Sequence, residues 1–139
     1  HRDDITRMPN GLPGVETTGP VLYTEAVTGG AASVRQFVRL MSTNVAKLFG
    51  LYPEKGTIVV GSDADIVIFD PDEEWTVEPE SLHMATDYSP FQGRSVTGRA
   101  ETVLVRGERV VDEELVGKPT VGEYRHRTPG STGRHYREL

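Results

Sequence analysis

The chain contains no cysteine, so disulfides and thiolate metal sites are both excluded, and the cytoplasm is the compartment expected by default. Long apolar runs are also missing. No stretch approaches the roughly 20 apolar residues that a membrane-spanning helix needs, and a membrane protein is not expected. Positive charge is in deficit: 15 Lys and Arg stand against 21 Asp and Glu, a formal net charge of −6. Such a balance gives no general attraction to a phosphate backbone, so nucleic acid is not an expected partner. Histidine is scarce, with four residues at positions 1, 83, 126 and 135. None forms a His-x-His pair or a His-x-x-x-His pair on a helical or strand pattern. A hydrolytic metal centre needs several converging His or carboxylate ligands with one position open to water, and no metal ligand is assigned here. Nucleophile elbow, P-loop and dinucleotide fingerprint are absent too. Gly11-Leu12-Pro13-Gly14 is too short for a phosphate cradle, and its proline removes an amide donor.

The first 20 residues are rich in glycine and proline, with Asn10-Gly11 and Pro13-Gly14 as turn dipeptides. This composition points to an ordered, irregular loop, the kind of segment that often carries binding residues. The apolar run Val21 to Ala26 gives one or two turns of helix ended by Gly29-Gly30, where backbone entropy disfavours continuation. Ser33 and Gln36 have the spacing of a capping box, and Val34, Phe37, Val38 and Met41 repeat at helical intervals, so a helix is expected from Val34 to Met41. Ser42 and Thr43 are expected to interrupt it and to cap a second short helix carrying Val45, Leu48 and Phe49, closed by Gly50.

After Pro53 the pattern turns to runs rich in β-branched residues: Thr57 to Val60, Ile66 to Phe69, Thr76-Val77, Ser95 to Thr97, Thr102 to Val105 and Val110-Val111. Gly61-Ser62, Asp70-Pro71-Asp72, Gly93 and Gly107 punctuate them, and Arg106 to Arg109 reads as a tight hairpin turn. The expected half is antiparallel β structure. A sheet of this size has too little apolar mass to be comfortable alone and should need a partner surface. From Glu123 onward Arg125, His126, Arg127, Arg134, His135 and Arg137 form a basic, apolar-poor tail, read as a terminus free of the body or, alternatively, as an arm for a neighbouring subunit's acidic surface.

Asp63-Ala64-Asp65 alternates acids as a Ca²⁺ loop does, but the apolar run Ile66 to Phe69 follows at once. The glycine and the later bidentate glutamate that such a loop requires are missing. These carboxylates are expected to satisfy turn amides near Gly61-Ser62. The single Trp75 reads as an anchor on a sheet edge rather than a sugar platform.

Three blocks taken in order carry a family resemblance: Met8 to Thr17 with its Pro9-Asn10-Gly11 core, Ser42 to Pro53, and Lys55 to Ile68 with Gly61-Ser62-Asp63-Ala64-Asp65. Together with Asp87-Tyr88-Ser89-Pro90-Phe91-Gln92-Gly93, they resemble the C-terminal part of dihydropyrimidinases and hydantoinases. The likeness runs from about Thr6 to Gly117. It implies an α/β fragment: the last loop and helices of a (β/α)₈ amidohydrolase barrel over 1–53, then the C-terminal part of a small antiparallel β-sandwich over 54–122, and a basic tail over 123–139.

A complete barrel of that type needs roughly 250 residues, more than the 139 present. The chain opens on His1-Arg2-Asp3-Asp4, without an initiating Met or a signal-peptide core, and reads as a segment of something longer. The resemblance implies a full-length parent that opens cyclic amides with two divalent metals, expected to be zinc. None of those ligands falls in this segment, so the segment alone is expected to be inactive. One functional residue carries over. Asn10 resembles the loop Asn whose main chain contacts the cyclic amide, and an N–H and C=O on a stiffened loop can pair with an imide edge. A small cyclic amide is the implied partner, and a homo-oligomer, expected as a tetramer, the implied assembly. Val45 and Gln92 depart from the usual Pro and Glu of the family. Arg94, Trp75 and Val116-Gly117-Lys118-Pro119 are also similar to allantoinases, and the same blocks occur in collapsin response mediator proteins, scaffolds that lack the metal ligands. Both remain alternatives at this point.

Overall fold

The computed structural model describes residues 11–117 and 122–126. Helix α1, Thr18–Leu22, runs directly into π-helical turns over Tyr23–Thr28, a longer helical segment than the Val21 to Ala26 pattern suggested. It stops at Gly29, and Gly30 follows with φ of 77°. Helix α2, Val34–Val38, starts at the expected capping box: the Ser33 side chain accepts from the Gln36 N–H at 3.3 Å, and the Ser33 N–H donates to Gln36 Oε1 at 2.8 Å.

The expected break at Ser42 and Thr43 is overturned. Helix α2 continues through π-helical turns over Arg39–Thr43 into helix α3, Asn44–Leu48. Thr43 makes no capping bond, because its hydroxyl donates to the Gly56 carbonyl at 2.8 Å and ties the helix to the following loop. A hydroxyl engaged across the fold cannot also serve the N–H groups of the next turn.

The β half is a single antiparallel sheet in the order β1-β2-β3-β4, comprising Ile66–Thr76, Ser95–Val105, Glu108–Asp112 and Glu114–Leu115. Runs that look separate in sequence are joined. Asp70 pairs with Arg99 and Glu74 with Thr97, so residues 71–73 of β1 oppose Gly98 alone. Pro71 sits in this bulge, where its missing N–H costs no ladder bond, and the Asp72 N–H donates to its neighbour Asp70 Oδ1 at 2.9 Å. The turn expected at 106–109 is narrower, since Val105 pairs with Glu108 across Arg106 and Gly107, which have φ of 54° and 84°. Both signs are those of a two-residue primed hairpin.

One expected strand does not form. Residues 57–60 lie outside every strand, and Ile58 and Val60 are fully exposed at 81% and 106%. No described segment offers them an edge to pair with, and β propensity expresses itself only through pairing and packing.

The core is small. Val21 of α1 packs with Val77 and Val96, against which Trp75, Leu82 and Phe91 are laid. The Trp75 indole N–H donates to the Gly98 carbonyl at 3.2 Å, and the Arg99 guanidinium lies 5.2 Å from its ring centroid. This is the anchoring role expected of it. A second cluster joins Tyr23, Phe37 and Phe69, with ring centroids 5.0 to 6.1 Å apart. Helix and sheet are also stitched by Thr24, whose hydroxyl accepts from the Thr97 N–H at 2.8 Å and donates to the Pro20 carbonyl at 2.8 Å.

Of the stripe Val34, Phe37, Val38 and Met41, only Phe37 turns inward; the other three are exposed at 53%, 50% and 37%. The helical period was right, and the face it marks has no cover among the described residues. On the sheet itself Val67 and Ile68 are exposed at 56% and 50%, the shortage of partner surface expected for so small a sheet.

Residues 122–126 are held against the body, which corrects the expectation that the tail leaves it at Glu123. Arg125 Nη2 donates to both oxygens of Asp63 at 2.8 and 3.0 Å, and Arg106 pairs with Glu123. The rest of the basic tail, 127–139, lies outside the described residues. Lys55 pairs with Asp63 at 2.9 Å and with Asp65, while the Arg106 N–H donates to Asp65 Oδ1 at 2.8 Å. So the acids do serve a turn, but Asp65 binds the hairpin amide rather than those beside Gly61, and Asp63 binds cations.

Titration of this cluster follows from those contacts. Burial works to lower Lys55, but its bonds to Asp65 and Asp63 outweigh it and lift the ammonium above its ordinary 10.5. The Lys55 hydrogen bond comes first in drawing Asp63 below 3.8, with Arg125 adding to it. For Asp65, burial pushes upward and is overcome by Lys55 and the Arg106 amide, again leaving the group below 3.8. Depressed carboxylates contribute stability above their unfolded values and lose it as pH falls through the folded values. The raised lysine contributes below its unfolded value and loses it as pH rises through the folded one. Urea midpoints should therefore form a plateau between about pH 5 and pH 9 and decline on both sides. Asp63→Asn should flatten the acid limb; an unchanged limb would refute the assignment.

Candidate substrate loop and its supports

Asn10, the single site residue expected from sequence, lies outside the described residues. The chain is visible from its neighbour Gly11, and the loop that follows leads into α1. Gly11 has φ of 121°, and an added Cβ there would meet no described atom within 4 Å. The positive φ is what favours glycine at this position. Leu12 and Val15 are exposed at 77% and 93%. Beyond them the loop tightens on the Gly14 carbonyl, which accepts from the Thr18 N–H at 2.8 Å and the Thr18 hydroxyl at 2.5 Å, while Thr17 is fully buried.

Two contacts reach this loop from far along the chain. The Tyr88 hydroxyl donates to the Gly11 carbonyl at 3.0 Å. Glu16 grips His83 at two points: Oε2 accepts from the His83 N–H at 2.8 Å, and Oε1 lies 2.9 Å from ring Nδ1. Both partners belong to the segment between β1 and β2, which includes the 3₁₀ turn Pro79–Ser81. That segment is itself fixed: Ser89 is buried and its hydroxyl accepts from the Phe91 N–H at 3.2 Å, and Phe91 packs on the Val21, Val77 and Val96 core. His83, one of the four histidines that form no ligand pair in sequence, here braces the loop through Glu16. The sequence offered no role for Tyr88, because a tyrosine 77 residues from its acceptor leaves no local pattern to read.

Elsewhere the chemistry is thin. Among the described residues no group of three or more His, Cys, Asp or Glu could hold a metal ion, and His126 packs its ring against Tyr124 at 4.8 Å. The described residues do not fit a binuclear centre. An open cleft of about 360 Å³ beside β1 and β2 is lined by four acids with Arg99 and Ala100, and Arg99 is already paired with Glu73 at 2.9 Å. It lacks the apolar wall that a small ring needs. No helix among the described residues is long and apolar enough to cross a membrane.

The chain belongs to the amidohydrolase family, whose model matches residues 23–111. Within that family it is 52% identical over 124 residues to the D-hydantoinase of Geobacillus stearothermophilus, covering 88% of this chain and 26% of that protein. The D-hydantoinase structure from Bacillus sp. AR9 superposes with a TM-score of 0.85 at 50% identity, over 91% of this chain and 28% of the other. The dihydropyrimidinase from Brevibacillus agri gives 0.85 at 48% identity with the same coverage. The chain thus spans about a quarter of the length of the relatives that it matches.

Proposed function

We propose that this chain is the C-terminal part of a metal-dependent hydrolase that opens the cyclic amide bond of hydantoins or dihydropyrimidines. The observation that carries the reading is the joint agreement of sequence and backbone, about half the residues identical at a TM-score of 0.85 across 91% of the chain, with D-hydantoinase. In this reading residues up to 53 close the (β/α)₈ barrel, and the sheet belongs to the β-sandwich. Asn10 presents its main chain to the amide edge of the substrate. The two divalent metals, zinc in this proposal, are held by ligands outside this chain, which alone is inactive. A cytoplasmic homotetramer is the proposed assembly.

The test is an exchange: this chain replaces its aligned segment in the Geobacillus stearothermophilus enzyme. The hybrid should hydrolyse hydantoin or dihydrouracil within about tenfold of the parent, a change of about 1.4 kcal/mol in barrier, while the chain by itself shows no turnover. A folded hybrid of parental oligomeric mass without activity on either ring would refute the proposal. Turnover by the chain alone would refute the assignment of the metal centre to other residues.

A further inference from the structure

Residues 122–126 have no regular secondary structure and run across two parts of the body. Their side chains alternate. Glu123 pairs with Arg106 in the β2–β3 turn, and Arg125 Nη2 donates to both oxygens of Asp63 at 2.8 and 3.0 Å. Tyr124 is 83% exposed, and its ring meets that of His126 edge-on at 4.8 Å. This is the period of two of an extended chain, with its charges set on the body and its rings toward solvent.

The surface beneath is joined by bonds of its own. The Gly107 N–H donates to the Ala64 carbonyl at 2.9 Å and the Arg106 N–H to Asp65 Oδ1 at 2.8 Å, which ties the hairpin to the 53–65 loop. That loop closes on itself through the Asp63 N–H on the Glu54 carbonyl at 2.9 Å and the Ser62 hydroxyl on the Pro53 carbonyl at 2.7 Å.

We propose that residues 122–126 are a reversible ionic strap, fastened over the 53–65 loop and the β2–β3 turn at low ionic strength and released as salt rises. Two features make it a latch. First, its anchors are open to water. The Glu123 and Arg106 side chains are 56% and 39% exposed, and those of Arg125 and Asp63 are 35% and 22% exposed; such pairs are weak and screened by ions. Second, release strands no charge. Breaking a buried ion pair is costly because one partner is left uncompensated, but Asp63 keeps Lys55 at 2.9 Å when Arg125 leaves. Glu123 and Arg106 return to water. The two anchors also act together, since they stand two positions apart on one stretch of chain and either pair, once formed, holds the other near its partner.

In the 139-residue chain, backbone ¹⁵N order parameters of residues 123–125 should fall from about 0.85 in about 10 mM NaCl toward about 0.6 in about 1 M. Over that range the Debye length shrinks from about 30 Å to about 3 Å. The values for Leu104 and Val110, in the strands beneath, should stay level. Charge exchange gives a second test. Arg106→Glu and Glu123→Arg should each loosen the strap already at low salt, and the double variant, which restores the pair with its signs reversed, should restore the order. Lys55→Gln leaves Asp63 to Arg125 alone and should raise the salt concentration at half-release.

Order that survives the high salt would show a strap held by other than charge and overturn the proposal. Disorder at both salt concentrations would overturn it equally, since the strap would then never close. A double variant as loose as the single ones, or release of Lys55→Gln at lower salt than the unsubstituted chain, would do the same. The salt titration needs no substitution and decides the matter even where a variant fails to fold.

Discussion

Gly98→Ala should destabilise the chain by about 3 kcal/mol, from two costs that add at one atom. The first is torsional, since Gly98 has φ of 92°, a region that an alanine enters only under strain of about 1–3 kcal/mol. The second is steric. A Cβ on Gly98 would stand 2.5 Å from Phe69 Cζ, 2.6 Å from its Cε1 and 3.0 Å from Tyr23 Cδ1, and overpacking of this kind costs roughly 1–3 kcal/mol. Neither ring can withdraw freely, because Phe69 and Tyr23 already pack on one another at 5.0 Å and on Phe37. Backbone relaxation at the β1 bulge opposite would recover part of the loss. Urea unfolding followed by circular dichroism measures it, and a loss below about 1 kcal/mol would show that the bulge absorbs the methyl group without strain.

Tyr23→Ala is the other large effect, expected at about 3–5 kcal/mol by analogy with other buried aromatic truncations. Tyr23 is 7% exposed and is the only aromatic of the trio classed as buried. Its ring joins the π-helical turns after α1 to Phe37 of α2 and Phe69 of β1. Removing it leaves a cavity where helix and sheet meet, and the neighbouring core of Val21, Val77 and Val96 is too small to collapse into it. For a domain whose total stability is commonly about 5–15 kcal/mol, such a loss should appear as a large fall in melting temperature. A decrease of only a few degrees would mean that the two clusters do not form one cooperative unit. The two substitutions should also be coupled. With the Tyr23 ring gone, Phe69 can move aside, so the double variant should be less destabilised than the sum by about 1 kcal/mol or more.

These effects trace to positions where sequence is silent. Gly98 sits in a run, Ser95 to Val105, that reads as two short strands parted by a weak point. In the fold it is one strand, and the glycine is required by a bulge on a different strand and by a ring from the helical half. The break expected at Ser42 and Thr43 fails for a similar reason. Those hydroxyls have the chemistry of a cap, but Thr43 is drawn to the Gly56 carbonyl, 13 residues away and invisible to a local window. Residues 57–60 have strand composition but no pairing edge among the described residues, so their propensity is unspent there. Glu123 and Arg125, read as the start of a detached tail, are drawn in by Arg106 and Asp63, because acids and bases far apart in sequence meet on the hairpin.

What the sequence by itself determined is whatever depends on near neighbours or on ordered blocks of residues. The capping box at Ser33 and Gln36, a hairpin within Arg106 to Arg109, the anchoring of Trp75 and membership of the amidohydrolase family all belong here, since capping, turn composition and family blocks are written within a few positions. Only the tertiary structure decided which apolar faces are covered, how β1 bulges around Gly98, and that Tyr88 and His83 brace the loop beside Asn10. Those outcomes depend on contacts between residues tens of positions apart. A hydrogen bond or a ring contact of that span leaves no periodicity in the chain, and it exists only once the sheet has brought its two partners together.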